Sequence, residues 1–348
     1  MGERIISDYS PEYKTHSCSS ALKKGADNFF VYLIFAKVFG ILSRIVFAIL
    51  YGDDFLFDLI KLTDRTMYFD MPAKIGVYKL SDSEVVLIDS GISAKTAARV
   101  LGVLEDMKLK IAFIINTHSH TDHAGGNRYL CENTGCKAYA AEVEDMLIGY
   151  PDVEATLVYG AYPCDDFRKK FMNTEASFTY NISEAPLPRG MEIMPLYGHT
   201  AHMIGVKTPD DVYFIADAVN SSSTFEKTKI CYVYDIDTQL ETLENLKKLD
   251  GKICVPSHAE PTKAISEVAE VNIQNLLEIR EDILSELKRK PQSDEEITSN
   301  LCRKYNLKLD FTGLVMVSSA VKCHLVSLRH KGLIDGFVED FVHYWKVG

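Results

Sequence analysis

The chain has 348 residues, 47% of them hydrophobic and 25% charged, with a formal net charge of −11. That length suits a main domain with an appendage around a sizeable core. The acidic balance argues against a long phosphate-tracking groove, which needs clustered Lys and Arg.

In chain order, residues 1–60 read as an N-terminal extension. Its segment Phe29–Tyr51 is almost continuously apolar and long enough to cross a bilayer. Lys37 and Arg44 interrupt it, and their cost of about +2.5 to +3.5 kcal/mol each nearly offsets the roughly −7 kcal/mol from about fifteen apolar side chains. Lys37, Gly40 and Arg44 share one stripe, as in an amphipathic helix lying on a surface. The segment is therefore expected to pack on protein, to contact a membrane surface, or to anchor the chain. A signal peptide fits poorly, because the run is too long and no small-residue cleavage site follows.

Residues 61–262 read as the catalytic domain. Ile75-Gly-Val-Tyr-Lys-Leu and Val85-Val-Leu-Ile-Asp are expected strands, separated by the polar turn Ser81-Asp82-Ser83. Ala94–Met107 reads as a helix with Val100, Leu101 and Leu104 on one face, and 111–115 as a buried strand. The stretch 142–188 reads as an insertion covering one side of the site. Its Tyr150, Tyr159, Tyr162 and Phe167 are candidate pocket residues, and Arg168, Lys169 and Lys170 a solvated run or an anion anchor. Residues 263–348 read as a C-terminal module: helices over 264–290, 294–305 and 311–331, then an alternating hairpin, the order of a winged helix. Of the eight cysteines, only Cys131 and Cys136 are close together, which fits free thiols in a reducing cytoplasm better than a zinc knuckle.

The chemistry begins where the 111–115 strand ends. His118 and His120 alternate along an extended or tightly turned segment, and Asp122 and His123 follow where a helix would start. Ala124-Gly125-Gly126 behind them permits close backbone approach. Imidazole with carboxylate suits Zn²⁺ first, and also Fe or Mn. Three later apolar runs end in ligand types: Pro195-Leu-Tyr-Gly-His199, Val212-Tyr-Phe-Ile-Ala-Asp217 and Ile253-Cys-Val-Pro-Ser-His258. Strand ends are where layered α/β proteins place active-site residues. The seven together are enough for two metal ions.

Over residues 74–261 this pattern resembles the metallo-β-lactamase superfamily. The resemblance implies a four-layer αββα fold. His118, His120 and His199 would hold one metal, Asp122, His123 and His258 the second, and Asp217 would bridge. It also implies that Asp89, in Asp89-Ser90-Gly91, orients the ligand loop rather than binding metal. His202 matches a further histidine of the motif, with a hydrogen-bonded structural role as the competing reading. Common zinc β-lactamases carry Cys where Asp217 stands, so the chain looks like glyoxalase II, the lactonases and the ribonuclease Z group instead. The expected activity is hydrolysis by a metal-bridging hydroxide, with Asp122 accepting or orienting its proton. A thioester, lactone or other activated ester is the first substrate class; the alternative is a metal-dependent phosphodiesterase or ribonuclease. A non-catalytic sensor is disfavoured because no ligand position is lost. The expected partner is a small molecule rather than nucleic acid, in a cytoplasmic protein, with membrane-surface contact through Phe29–Tyr51 and homodimerisation as open alternatives.

Overall fold

The computed structural model describes residues 57–171 and 175–348; Phe29–Tyr51 and nearly all of the 1–60 extension lie outside the described residues. Short apolar runs broken by polar turns build the first sheet. β1 (Asp58–Lys61), β2 (Thr66–Asp70), β3 (Ile75–Lys79) and β4 (Glu84–Ile88) form an antiparallel meander. Then α1 (Ala94–Asp106) starts at Ser93, whose side chain accepts from the Thr96 amide, and buries Ala97, Val100 and Leu104. The chain returns as β5 (Lys110–Ile115), parallel to β4. After α2 (Thr121–Ala124) and α3 (Asn127–Thr134), β6 (Lys137–Ala140) adds in parallel. Helices α4 (Glu142–Gly149), α5 (Pro151–Tyr159) and α6 (Asp165–Phe171) precede β7 (Tyr180–Asn181), which closes the seven-stranded sheet.

The second sheet contains β8 (Glu192–Pro195), β9 (Ile204–Lys207), β10 (Val212–Ala216) and β11 (Ile253–Pro256), in the order β11-β10-β9-β8. Between β10 and β11 lie α7 (Ser222–Lys227) and α8 (Ile236–Leu246). Strand alternation then sorts the side chains into layers. Tyr78, Val86, Ile88, Phe113 and Ile115 of the first sheet meet Val206, Val212, Phe214 and Val255 of the second. On the outer face of the first sheet, Val77, Leu87 and Ile114 pack with Val100, Leu104 and Leu130. On that of the second, Ile215 and Cys254 pack with Leu243, Leu246, Ile265 and Ala269. The result is the expected four layers, helix–sheet–sheet–helix. Each fully buried Leu, Ile or Val contributes about 1.5–3 kcal/mol relative to an exposed one.

Past residue 262 run α9 (Ile265–Leu287), α10 (Asp294–Lys304), α11 (Phe311–His330) and the antiparallel pair β12 (Ile334–Glu339) and β13 (Val342–Val347). α10 opens on a capping box, with Ser293 and Glu296 satisfying each other's backbone amides. These elements do not stand apart. Ile279, Ile283, Ile297, Leu301, Val321, Leu325 and Trp345 share one apolar core with Ile230, Val233 and Ile236. At its edge, Asp237 accepts from Lys331 Nζ (2.6 Å), Ser327 Oγ (2.8 Å) and an Arg280 guanidinium nitrogen (3.2 Å). Among the described residues, α11 is the one helix long and apolar enough to cross a membrane, but Val317, Ala320, Val321, Leu325 and Leu328 are buried in this core. The seven cysteines among the described residues are free thiols.

One buried group in this core makes stability depend on pH. Burial, and secondarily the Arg280 charge, pushes the His324 pKa down to about 3, and its Nδ1 has no hydrogen-bond partner. The unfolded chain takes up a proton near pH 6.5 that the folded one refuses. The contribution is fully present above pH 6.5 and is lost as pH falls from there towards 3. Between pH 7.5 and 5.0 the wild type is expected to lose about 2 kcal/mol more unfolding free energy than His324→Leu. Urea titrations of both proteins at the two pH values check this.

Candidate metal centre

The loop after β5 is shaped by buried polar groups. Asn116 and Asn127 exchange side-chain hydrogen bonds of 3.1 and 2.8 Å, and Asn116 Nδ2 also donates to the His123 carbonyl (3.3 Å). Gly126 packs so closely that an added Cβ would lie 2.2 Å from the Ser90 carbonyl oxygen. Only glycine fits there, so the short α2 can press against the Asp89-Ser90 turn. Asp89 itself takes a left-handed φ of 68°, a conformation costly for a side-chain-bearing residue. Its carboxylate accepts from the Thr117 amide (2.7 Å), Thr117 Oγ1 (2.9 Å) and His123 Nδ1 (2.8 Å). It therefore holds the loop and turns His123 Nε2 towards the site, the orienting position expected for it.

Two groups of ligand atoms result: His118, His120, His199 and Asp217 in one, Asp122, His123 and His258 in the other. In the first, His120 Nδ1 lies 3.0 Å from His118 Nε2 and 3.1 Å from His199 Nε2. Three converging imidazole nitrogens at that spacing approach the roughly 3.3 Å edge of a tetrahedron with 2.0–2.1 Å metal–nitrogen bonds. In the second, His258 Nδ1 donates to the Pro72 carbonyl (2.7 Å), leaving Nε2 3.2 Å from Asp122 Oδ2. Asp217 faces both groups: its oxygens lie 3.9 Å from His118 Nε2, 3.5 Å from His199 Nε2, 3.3 Å from His123 Nε2 and 3.1 Å from His258 Nε2. A register shift between Phe214 and Ala216 in the β10–β11 pair, with Ala216 at φ 48°, aims it there.

These residues fit a pair of metal ions. His123 Nε2 and Asp217 Oδ1 are buried and make no hydrogen bond, although only 3.3 Å separates them. A buried polar atom without a hydrogen-bond partner costs about 1–3 kcal/mol, and a cation between them satisfies both. The ionisation pattern agrees. Burial, then His123 and His120, depress His118 well below the ordinary range, and burial, then His120, takes His199 down to about 3. Both are neutral lone-pair donors at pH 7. On the opposite side burial is overridden by Asp217, which raises His123 well above 6.5 and His258 to about 10. Burial is likewise overridden at Asp122 and Asp217, whose facing imidazolium groups lower both carboxyl pKa values. Cation uptake must displace those histidine protons.

Two carboxylates that the sequence reading passed over support the loop from behind. Glu144 of α4, fully buried, accepts from the Ser119 amide (2.9 Å), Thr200 Oγ1 (2.7 Å) and the His202 amide (2.9 Å). It joins the 118–123 loop to the His199 loop. Glu154 of α5 accepts from Ser119 Oγ (3.2 Å) and lies 3.1 Å from His120 Nε2. With the ring proton held there, Nδ1 is left as the ligand atom. No local pattern in the sequence marks either acid as buried; both sit on short helices among other acids, Glu142 and Asp145 beside Glu144 and Asp152 beside Glu154. Glu154→Gln is expected to weaken metal affinity about 10–100-fold with the fold retained, as competition with a chromogenic chelator would measure.

His202 is not in either ligand group; its ring stacks on Tyr197 with centroids 5.3 Å apart. Above the ligand cluster opens a pocket of about 330 Å³, lined by Ile92, Glu154, Val158, Phe167, Tyr232 and Met316 together with several ligand residues. The expected insertion supplies Glu154, Val158 and Phe167. Of the four aromatic candidates, however, only Phe167 lines the pocket; Tyr150, Tyr159 and Tyr162 are exposed outside it. Arg168 is held on the surface by Asp152 (3.2 Å) and Asp165 (3.4 Å), a solvated pairing rather than an anchor. The side chains of Lys169 and Lys170 lie outside the described ones.

A model of the metallo-beta-lactamase superfamily matches residues 71–258, more than half of the chain. The chain belongs to the metallo-beta-lactamase superfamily. Within that superfamily it is 32% identical over 167 residues to a hydroxyacylglutathione hydrolase of Hyphomonas neptunium, covering 46% of this chain and 53% of that one. A second hydroxyacylglutathione hydrolase, from Pelagibacter ubique, is 35% identical over 69 residues, covering 18% and 29%. The chain thus spans about half, or less, of the length of these curated relatives. Among solved structures, a beta-lactamase domain protein from Burkholderia ambifaria superimposes with a TM-score of 0.65 at 16% identity, over 86% of this chain and 96% of that one. A metallo-beta-lactamase family protein from Thermus thermophilus gives 0.58 at 16% identity, over 84% and 98%. At that identity both comparisons speak to the superfamily fold alone.

Proposed function

We propose that the protein is a hydrolase with two divalent metal ions, Zn²⁺ first among them, acting on a thioester, lactone or other activated carbonyl ester. One observation carries this reading: six ligand side chains converge around Asp217 at the base of a pocket whose lining, among the described residues, contains no Lys or Arg. His118, His120, His199 and Asp217 would hold one ion, and Asp122, His123, His258 and Asp217 the other. When bound, such a pair supplies a water nucleophile activated at neutral pH and polarises the substrate oxygen.

The chain's own residues do the rest. Asp122 lines the pocket, where its carboxylate would orient the attacking water and accept its proton. Asp89 and Glu154 fix the tautomers of His123 and His120. Tyr232 also lines the pocket, and burial raises its phenol, so it stays protonated as a neutral hydrogen-bond donor to the substrate. Beyond the metal ions themselves, the described lining residues offer a phosphodiester no Lys or Arg side chain to receive its charge. The names of the two curated relatives, hydroxyacylglutathione hydrolases, support an acyl substrate. The winged-helix-like tail and the cytoplasmic setting are further parts of this proposal.

A panel of thioesters, lactones and bis-p-nitrophenyl phosphate, run with the zinc-loaded protein, tests the reading. Faster turnover of the carbonyl substrates is expected. The reverse ranking would favour the phosphodiesterase reading.

A further inference from the structure

Beyond the reaction type, we infer that the substrate enters with an uncharged, apolar acyl chain that lies in the 330 Å³ pocket above the ligand cluster. This rests on the acyl-hydrolase reading and adds the part of the substrate beside the scissile bond. The pocket divides by chemistry. Its base is polar, formed by His120, Asp122, His199 and Asp217. Its walls come from four separate places in the chain: Ile92 from the turn after β4, Val158 from α5, Phe167 from α6 and Met316 from α11. Phe167 is only 1% exposed, so that wall is a fixed apolar surface rather than a mobile side chain.

The polar groups on the walls favour a neutral ligand. Glu154 is engaged by His120 Nε2 and Ser119 Oγ, and Tyr232 adds an uncharged phenol to the lining. Among the described lining residues an anionic arm on the acyl side would meet no Lys or Arg side chain. At roughly 30 Å³ for each water-sized group, the volume takes a chain on the order of ten carbon-sized groups. Hydrolysis of such a thioester forms the acyl carbon–oxygen bond from water and breaks the carbon–sulfur bond. The products are a carboxylic acid and a thiol, the second water proton going to the departing sulfur.

The contribution of α11 gives the C-terminal module a stated task. Met316 closes one wall, so chain-length preference is set by a helix outside the sandwich. Across acetyl, butanoyl, hexanoyl and octanoyl thioesters of N-acetylcysteamine, kcat/KM for the zinc-loaded full chain is expected to rise about fourfold per methylene until the pocket is filled. Met316→Trp, with Val158→Trp as a second variant, is expected to move the optimum to shorter chains. Calorimetry with two amides that are not turned over gives an independent readout. Octanamide should bind at least about tenfold more tightly than propanamide, with a negative heat-capacity change, and Met316→Trp should abolish the difference.

The outcomes separate the two readings. Turnover of thioesters with a flat or falling dependence on chain length overturns the acyl-pocket inference and leaves the hydrolase reading standing. If no ester is turned over, the hydrolase reading fails, and the amides decide the pocket: selective octanamide binding keeps it, and equal binding overturns it.

Discussion

Asp217→Ala is expected to lose at least one of the two metal ions and to lower ester hydrolysis by about 10³-fold. The size follows from its position, because its oxygens are within 3.9 Å of nitrogens from His118, His199, His123 and His258. Removing any single histidine thins one ligand group, but removing Asp217 thins both. The two imidazolium groups opposite it also lose their main counter-charge, so the metal-free variant should melt earlier as well. Asp217→Asn keeps the shape and separates the effects. It retains the volume while losing the anionic charge that both groups use. Elemental analysis beside initial rates checks the prediction, and an alanine variant with a full metal complement and near-normal rates would contradict it.

The second large effect lies away from any ligand atom. Glu144→Ala leaves the Ser119 amide, the Thr200 hydroxyl and the His202 amide without their acceptor. Each buried donor left unpaired costs about 1–3 kcal/mol, so a total loss of about 3–5 kcal/mol in unfolding free energy is expected. Metal affinity should fall with it, since Ser119 sits between His118 and His120 and Thr200 follows His199. Glu144→Gln should be milder, because an amide keeps one of the two acceptor oxygens. Urea unfolding of the metal-free proteins, followed by metal titration, measures both consequences. A Glu144→Ala loss below about 1 kcal/mol would show that water or a shifted side chain replaces the carboxylate.

What the sequence disclosed follows the range of the physics involved. The strands at Ile75–Lys79 and Glu84–Ile88 and the helix at Ala94–Asp106 carry their own periodicity and match the expected spans closely. The seven ligand residues were legible because four crowd into the loop after one apolar strand and the other three each end a later apolar run, and the fold brings those places together. Acids on mostly helical segments were not legible as site residues. On a single chain, Glu144 and Glu154 look like the solvated side of α4 and α5, and only tertiary packing shows that side turned inward. Tyr232 and Met316 were missed for the same reason: each reaches the pocket from a segment with no local tie to it. His202 was singled out only by its match to the family motif, and of its two readings the stacking of its ring on Tyr197 supports the structural one. The bulge that aims Asp217 depends on pairing between β10 and β11, so no local pattern announces it.

The central claim is that these side chains form a two-metal centre, and metal analysis of the purified full chain tests it most directly. After zinc loading and removal of loosely held ions, about two transition-metal ions per chain are expected. An intact, folded protein that retains none would contradict the account.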